Sequence, residues 1–321
     1  MQLVSVTAIV IGIVLFVVTL IYIDLDETIA SAGRLGLALP VILLPATVWQ
    51  FLRTWGWAIS FPDDTRPPFT RLLRVRLAAD AIGFFTVRGI AGEPLKVLLL
   101  YDRVAPEITT AAVALERLAF AVIGIAIAAF ISVAALTRLS LPAAWDTLFS
   151  MLIVGAVFAL AVAILIARRR SGDYLGRLVL VLDRVTSRRL EASRVVRFIL
   201  DVEDILLQLV RGDRRRLITL TILAAVCYGL MAIEVWLVLW AVGEPSSVTE
   251  ALTVETFARL ASVASAAIPG NIGALEASNA AVVAALGLAG GGALALARRI
   301  RALLWAAAGL ALYPRVRERR G

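Results

Sequence analysis

Long apolar runs separated by short charged loops dominate the pattern of hydrophobic and polar positions along the chain. Six runs approach or exceed the roughly 20 residues that an α-helix needs to cross a bilayer. We assign these predicted spans to residues 3–23, 35–59, 111–136, 148–167, 217–241 and 294–313. Residues 3–23 follow no basic segment and precede no clear cleavage site, so we expect a retained helix and not a signal peptide.

Two further apolar runs, residues 77–100 and 251–290, are interrupted by glycine, proline and charged residues. Each contains a GxxG tetrapeptide, a nearby proline and a carboxylate that follows it. These positions are Gly89, Gly92, Glu93 and Pro94 in the first run, and Pro269, Gly270, Gly273 and Glu276 in the second. Glycine and proline break helices, and irregular backbone at membrane depth is tolerated only where it is buried in protein or lines a wet cavity. We therefore predict two re-entrant hairpins.

Arginine-rich segments set the predicted orientation, because loops rich in Arg and Lys stay in the cytoplasm. Residues 62–76, residues 168–216 and the C-terminal tail are basic, whereas the loops near Asp24 and Glu244 are acidic. Both interrupted runs must then enter and leave on the same side, the first from the cytoplasm and the second from outside. The predicted fold is an all-α integral membrane protein with about six spanning helices and two re-entrant helical hairpins in an inverted repeat, as in many transporters. Both termini are predicted to be cytoplasmic.

Composition narrows the chemistry. The 321 residues are 61% hydrophobic and include no His and one Cys. Disulfides, Cys/His zinc sites, haem ligation and imidazole catalysis are therefore excluded, and we predict no cofactor, no metal and no catalytic residue. The net charge of +8 is attributed to cytoplasmic loops and not to nucleic-acid binding. We predict one polytopic membrane domain over residues 1–321.

Residues 168–216 form the one long polar segment, a predicted basic cytoplasmic insertion between the two halves. Its apolar residues recur at helical spacing, at Val195, Phe198, Ile199, Val202, Ile205, Leu206 and Leu209. This amphipathic pattern fits a helix on the anionic inner leaflet, and it equally fits a helical hairpin that connects two spans. The sequence leaves both interpretations open.

Charged and amide side chains embedded in apolar runs form the candidate site, because a charge inside a bilayer is costly and usually marks a pathway or an ion pair. The predicted headgroup cavity consists of Arg88, Glu93, Lys96, Asn271, Glu276 and Arg301, and the supporting charges are Arg53, Asp80, Glu116, Arg117 and Glu234. In the alternative interpretation, Arg88, Glu93 and Glu276 form an ion pair that pins the two hairpin tips together. Glu116 and Arg117 would then anchor a helix start, and Arg53 would extend to the headgroups.

Four motifs together resemble the transmembrane domain of the lysylphosphatidylglycerol synthase family. They are RGIAGEPLKV at residues 88–97, ALERLAF at 114–120, IPGNIGALEASNAAVVAALGL at 268–288 and RRIRALL at 298–304. The resemblance implies an all-helical, flippase-like domain with re-entrant segments that moves lipids or lipid-linked headgroups between leaflets. Members of the family often have an acid where this chain has Phe120. The soluble aminoacyl-transfer domain of full synthases is not found in these residues, so we expect no lysylphosphatidylglycerol synthesis by this chain.

The leading functional hypothesis is a lipid translocase and not an enzyme, located in the cytoplasmic membrane of a bacterium or archaeon. The resemblance implies a phospholipid, a polyprenyl-linked lipid or a hopanoid-type lipid as its partner. A membrane-embedded lipid-modifying transferase and a scaffold for a partner lipid-synthesis enzyme are the alternatives. A homo-oligomer is left open.

Overall fold

The described part of the chain is helical throughout. The structure, a computed structural model, describes residues 33, 35–86, 91–139, 142–168, 194–265 and 274–314. These residues form ten α-helices: α1 Leu39–Ile59, α2 Phe69–Phe85, α3 Gly92–Leu100, α4 Pro106–Arg138, α5 Ala143–Arg168, α6 Arg194–Gly212, α7 Arg214–Ala241, α8 Val248–Ala264, α9 Ala274–Ala285 and α10 Gly291–Ala311. The predicted span at residues 3–23 lies outside the described residues.

Local sequence signals explain where several helices begin. Pro106 occupies the first position of α4, where its missing N–H costs no helical hydrogen bond. The side chain of Asp213 caps α7 by accepting a 2.8 Å hydrogen bond from the backbone N–H of Arg215. Ser247 and Glu250 form a reciprocal capping box at the start of α8. Each of these three helices begins only a few residues after the preceding helix ends.

Three of the described helices are long and apolar enough to cross a membrane: α4, the Ala143–Ala163 part of α5, and α7. The apolar side chains of α4 and α5 are largely exposed, as expected for surfaces that face lipid, whereas α7 is half buried within the protein. Helices α1 and α10 have 21 residues each, which corresponds to about 31 Å at 1.5 Å per residue, but both carry buried arginines. The chain is an all-α membrane protein.

Helices α1–α4 and α7–α10 pack in corresponding ways. In each set, the first helix contacts the second, the second contacts the third and the third contacts the fourth. The second helix of each set also packs on the fourth helix of the other set, and α1 packs on α7. The two central helices run antiparallel, because Gly56 near the end of α1 lies beside Leu220 near the start of α7, and Asp63 just beyond α1 pairs with Arg216.

Glycines permit very close approach between helices at a few of these crossings. A Cβ added at Gly309 of α10 would overlap the carbonyl oxygen of Leu77 in α2. A Cβ added at Gly92, the first residue of α3, would lie 2.9 Å from the carbonyl oxygen of Ala79 in α2. Larger side chains cannot occupy these positions without moving a backbone.

Helix α2 differs from the sequence prediction at its start. We predicted a loop over residues 62–76 and an interrupted run from residue 77, but α2 begins at Phe69. Arg74 and Arg76 therefore lie on a helix and, two residues apart, on different faces of it. Arg74 is exposed and donates to the carbonyl oxygen of Leu312, whereas Arg76 is buried.

Helix α6 packs the second half of its apolar stripe against the body of the protein. Leu209 is buried in a cluster with Ala111, Leu115 and Leu220, and Val202, Ile205 and Leu206 contact the same cluster. Val195 in the first half of the helix is exposed. The amphipathic pattern thus reflects, for its second half, contacts within the chain.

Candidate functional site

Seven charged side chains of α1–α4 gather into a first charge cluster. Its members are Arg53 of α1, Arg76 and Asp80 of α2, Glu93 and Lys96 of α3, and Glu116 and Arg117 of α4. Four are cations and three are carboxylates, so the cluster carries one excess positive charge. Six of the seven were predicted from the sequence as cavity residues or supporting charges, and the structure brings them together. The seventh, Arg76, was not predicted.

Glu116 holds the buried end of this cluster. Its Oε1 lies 2.6 Å from an Nη of Arg53 and 3.5 Å from an Nη of Arg76, and its residue is 2% exposed. Arg53 is also buried, so the expectation that it extends to the headgroups is wrong. Glu116 and Arg117 do not anchor a helix start either, because α4 begins at Pro106, more than two turns earlier.

The other end of the first charge cluster is accessible. Lys96 is buried, and its Nζ lies 3.2 Å from both carboxylate oxygens of Glu93 and 3.8 Å from Asp80. Arg117 also pairs with Glu93, and the side chain of Arg117 is 47% exposed while that of Glu93 is 23% exposed. The exposed Arg117 thus pairs with the half-buried Glu93, which in turn pairs with the buried Lys96.

Phe120 contacts the cluster through its ring. The Cζ of Arg53 lies 4.0 Å from the ring centroid of Phe120 and 5.4 Å from that of Trp49. The resemblance noted from the sequence implies an acid at this position, which is Phe120 in this chain. The ring therefore supplies a cation–π contact to Arg53 where a carboxylate would supply an ion pair.

A second charge cluster lies among α7–α10. It consists of Glu234 of α7, Glu255 and Arg259 of α8, Glu276 of α9, and Arg298, Arg299 and Arg301 of α10. It also contains four cations and three carboxylates. Sequence analysis had included Glu234, Glu276 and Arg301, and had left out Glu255, Arg259 and Arg299.

Glu255 and Glu234 are the buried acids of the second charge cluster. Glu255 accepts from Arg259 at 2.7 Å and from Arg298 at 2.6 Å. Arg298 also donates to Oδ1 of Asn279, at 3.0 Å. Glu234 is buried and pairs with Arg301, whose side chain is 23% exposed. Arg301, predicted to line the headgroup cavity, is therefore held by Glu234.

Glu276 occupies in α9 the place that Glu93 occupies in α3. Each acid lies near the start of the third helix of its set, and each pairs with an arginine of the fourth helix: Glu93 with Arg117, and Glu276 with Arg299. The residue three positions later is Lys96 in α3 and Asn279 in α9, and both are buried. Both of these ion pairs form within one half of the protein. The predicted pair between the two hairpin tips includes Arg88, which lies outside the described residues, so it stays a prediction.

The buried acid and its cations exchange places between the two sets. In the first set, the fourth helix supplies an acid, Glu116, to cations of the first and second helices. In the second set, the fourth helix supplies cations, Arg298 and Arg301, to acids of the second and first helices. The buried charge that the fourth helix contributes is thus negative in the first set and positive in the second.

Several predicted site residues lie outside the described residues. They are Arg88, Gly89, Pro269, Gly270, Asn271 and Gly273. Pro94, by contrast, lies in the first turn of α3, where proline is tolerated. The structure thus describes α3 and α9, the helices that follow the two predicted hairpin tips, and the tips themselves lie outside the described residues.

The residues that sequence analysis missed carried a weak signal. Glu255 and Arg259 are four residues apart and therefore share a helix face, as do Arg76 and Asp80. Such pairs inside an apolar run could have been added to the site. Arg299 had no such signal, because it is one of three closely spaced arginines whose partners are set by the fold.

Comparisons with curated proteins and with solved structures each found no match. A family model, described as the lysylphosphatidylglycerol synthase TM region, matches residues 5–311. This match covers nearly the whole chain, including both charge clusters and the helices that hold them. The chain therefore belongs to the family of the lysylphosphatidylglycerol synthase transmembrane region.

Proposed function

We propose that this protein is a lipid translocase that moves an anionic lipid headgroup between leaflets, and that it carries out no chemical conversion. The observation that supports this most is the occurrence of two partly accessible ion pairs, Glu93–Arg117 and Glu276–Arg299, the first of which also contacts the buried Lys96. An ion pair that is accessible on one side suits transport, because a charged headgroup can replace one member of the pair and leave again. Family membership supports a role connected with membrane lipids.

The proposed substrate class is a lipid whose headgroup carries a phosphate. Each charge cluster has one more cation than acid, and charge-assisted hydrogen bonds from guanidinium groups suit phosphate oxygens. Arg117 and Arg301 are the accessible cations we assign to this contact. Lys96 is buried beneath Glu93, so its proposed role is to orient that carboxylate.

The buried pairs have a different proposed role. Glu116 with Arg53 and Arg76 is buried and joins three helices of the first half. Arg298 with Glu255 and Asn279 is buried and joins three helices of the second half. Removing one partner of such a pair leaves an uncompensated buried charge. We assign these groups to holding the helices together and not to contact with the headgroup.

The proposed architecture is an inverted repeat of about six spans with two re-entrant hairpins between α2 and α3 and between α8 and α9. The corresponding contacts of the two helix sets and the antiparallel packing of α1 and α7 support it. Arg74 at the start of α2 donates to Leu312 at the end of α10 at 3.2 Å, which puts those ends on one side. That side is rich in arginine, so we assign it, with both termini, to the cytoplasm of a bacterium or archaeon.

The function is tested by headgroup exchange in proteoliposomes. The purified protein is reconstituted with fluorescent acidic, zwitterionic or polyprenyl-phosphate lipids, with and without an imposed pH gradient and membrane potential. The label that remains accessible to dithionite then reports exchange. We expect wild type to accelerate exchange, and Glu93→Gln and Glu276→Gln to slow it at least tenfold, because a hydrogen bond to a charged group contributes about 1.5–3 kcal/mol.

The matched control is Glu107→Gln, the same substitution in the first turn of α4 and outside both charge clusters. It should exchange lipid at the wild-type rate. Wild type that gives no exchange with any of these lipids or gradients would contradict the translocase proposal. Conversion of the lipid to a new product, abolished by a chelator, would instead indicate a metal-dependent transferase.

A further inference from the structure

Helix α6 has an exposed apolar edge that runs along its length. Val195, Ile199 and Val210 are 66%, 41% and 37% exposed. In an α-helix these three positions lie within about 60° of one another, on one side of the axis. Leu209 borders the same side and packs in the cluster with Leu115 of α4. The apolar stripe of α6 is therefore wider than its contact with the body of the protein, and one edge of it faces outward.

This exposed edge adjoins the lipid-facing surface of α7. Asp213 alone separates α6 from α7, which is long and apolar enough to cross a membrane. Ile218 and Ile222, one turn apart near the start of α7, are exposed. Since apolar side chains exposed on a spanning helix face lipid, α6 ends at the level where the lipid-facing side of α7 begins. That level is a surface of the membrane.

The charges of α6 hold it at this surface and out of the hydrocarbon. Residues 194–216 contain six arginines and four acids, a net charge of +2. A helix that carries this many charges does not enter the bilayer core. Five of the arginines are exposed and flank the two ends of the helix: Arg194, Arg197, Arg211, Arg214 and Arg215. Arginines beside an exposed apolar face are typical of a helix that binds anionic lipid.

We propose that α6 lies along the cytoplasmic leaflet, with Val195, Ile199 and Val210 inserted between acidic phospholipids and the flanking arginines bound to their phosphates. The apolar side chains gain by leaving water, and guanidinium groups donate charge-assisted hydrogen bonds to phosphate oxygens. The sequence pattern alone fits a connecting hairpin equally well, and the exposed edge distinguishes the two. The choice of leaflet uses the orientation proposed above, whereas the binding of acidic lipid is independent of lipid transport.

Site-directed spin labelling of the full chain in bilayers tests this surface. Single cysteines are introduced as Val195→Cys and Ile199→Cys, labelled with a nitroxide and reconstituted in phosphatidylcholine with phosphatidylglycerol. The native Cys227 is buried, and wild type treated with the label reports its background. The matched control is Gln208→Cys. Gln208 is also exposed, and it follows Ile199 by nine residues, about two and a half turns, so it lies on the opposite side of α6.

Collision with molecular oxygen, which concentrates in lipid, is compared with collision with a water-soluble nickel chelate. We expect oxygen to relax the labels at positions 195 and 199 more than nickel does, and the label at position 208 to show the reverse. Equal access of nickel to positions 199 and 208 would overturn the proposal, because the edge would then face water. Low access of both reagents to positions 195 and 199 would overturn it as well, because protein would then cover the edge.

A titration with phosphatidylglycerol tests the acidic lipid separately. In the chain labelled at position 199, access of nickel should fall as the mole fraction of phosphatidylglycerol rises. Arg214→Gln should require about fivefold more phosphatidylglycerol for the same effect, as for one arginine at an anionic surface. Arg138→Gln, an exposed arginine at the far end of α4, is the matched control and should leave the titration unchanged. Insertion that does not depend on phosphatidylglycerol, or equal titrations of the two variants, would overturn the assignment to acidic lipid.

Discussion

Substitution of Glu116 by glutamine should destabilise the protein by about 3 kcal/mol. The carboxylate holds Arg53 at 2.6 Å and Arg76 at 3.5 Å, and its residue is 2% exposed. Removing it leaves two buried cations facing a neutral amide and raises the charge of the first cluster by one. Breaking a buried ion pair typically costs about 3–5 kcal/mol. A cation at the centre of a bilayer costs about 2.5–3.5 kcal/mol on an insertion scale, which gives a similar size.

The free energy of unfolding can be measured by SDS titration in mixed micelles, followed by tryptophan fluorescence. Glu107→Gln is the matched control on the same helix and should change stability by less than about 0.5 kcal/mol. A loss below about 1 kcal/mol in Glu116→Gln would refute the view that this carboxylate compensates buried cations.

A double variant separates charge compensation from packing. In Arg53→Gln combined with Glu116→Gln, one cation leaves with the acid, and Arg76 keeps its contact with Asp80. We expect this double variant to be more stable than Glu116→Gln alone. Strictly additive losses would show that the two residues do not interact, contrary to the observed geometry.

Three further substitutions test packing by the same titration. Gly309→Ala would overlap a neighbouring backbone carbonyl and should cost about 1–3 kcal/mol. Its control is Gly229→Ala, whose added Cβ meets nothing within 4 Å and which should be neutral or stabilising by up to about 1 kcal/mol. Equal effects of the two substitutions would contradict the close packing at Gly309. Leu209→Ala should cost about 2 kcal/mol or more and Val195→Ala less than about 0.5 kcal/mol, unless α6 does not dock as observed. Phe120→Leu should lose about 1–2 kcal/mol if its ring supports the buried guanidinium, and an unchanged stability would exclude that contact.

The long apolar helices and the polar starts of α3 and α9 were predictable, because the length of a hydrophobic run and the presence of helix-breaking residues are local properties of the sequence. The start of α2 was not, because residues 69–76 are rich in arginine and read as a loop. Their burial depends on which helix face meets α1, and that is a tertiary property. Arg74 and Arg76 make the point: the two residues are alike in sequence context, and one is exposed while the other is buried.

The partners of the charged residues were less predictable than their presence. Glu234 and Arg301 are 67 residues apart, and Glu255 and Arg298 are 43 apart, so only the packing of α7 and α8 against α10 joins them. Sequence analysis could assign each of Glu234 and Arg301 to the membrane but not to each other. The local pair Glu255 and Arg259 was within reach, because residues four apart on a helix are neighbours.

The opposite buried charges of the two fourth helices, α4 and α10, bear on how the halves recognise each other. The fourth helices α4 and α10 have 33 and 21 residues and occupy corresponding places in sets that pack alike. Glu116 of α4 matches the cations of α1 and α2, whereas Arg298 and Arg301 of α10 match the acids of α8 and α7. Exchanging α4 and α10 would bring cations to cations and acids to acids inside a medium of low dielectric constant. The charges thus discriminate against the exchanged arrangement as well as stabilising the observed one.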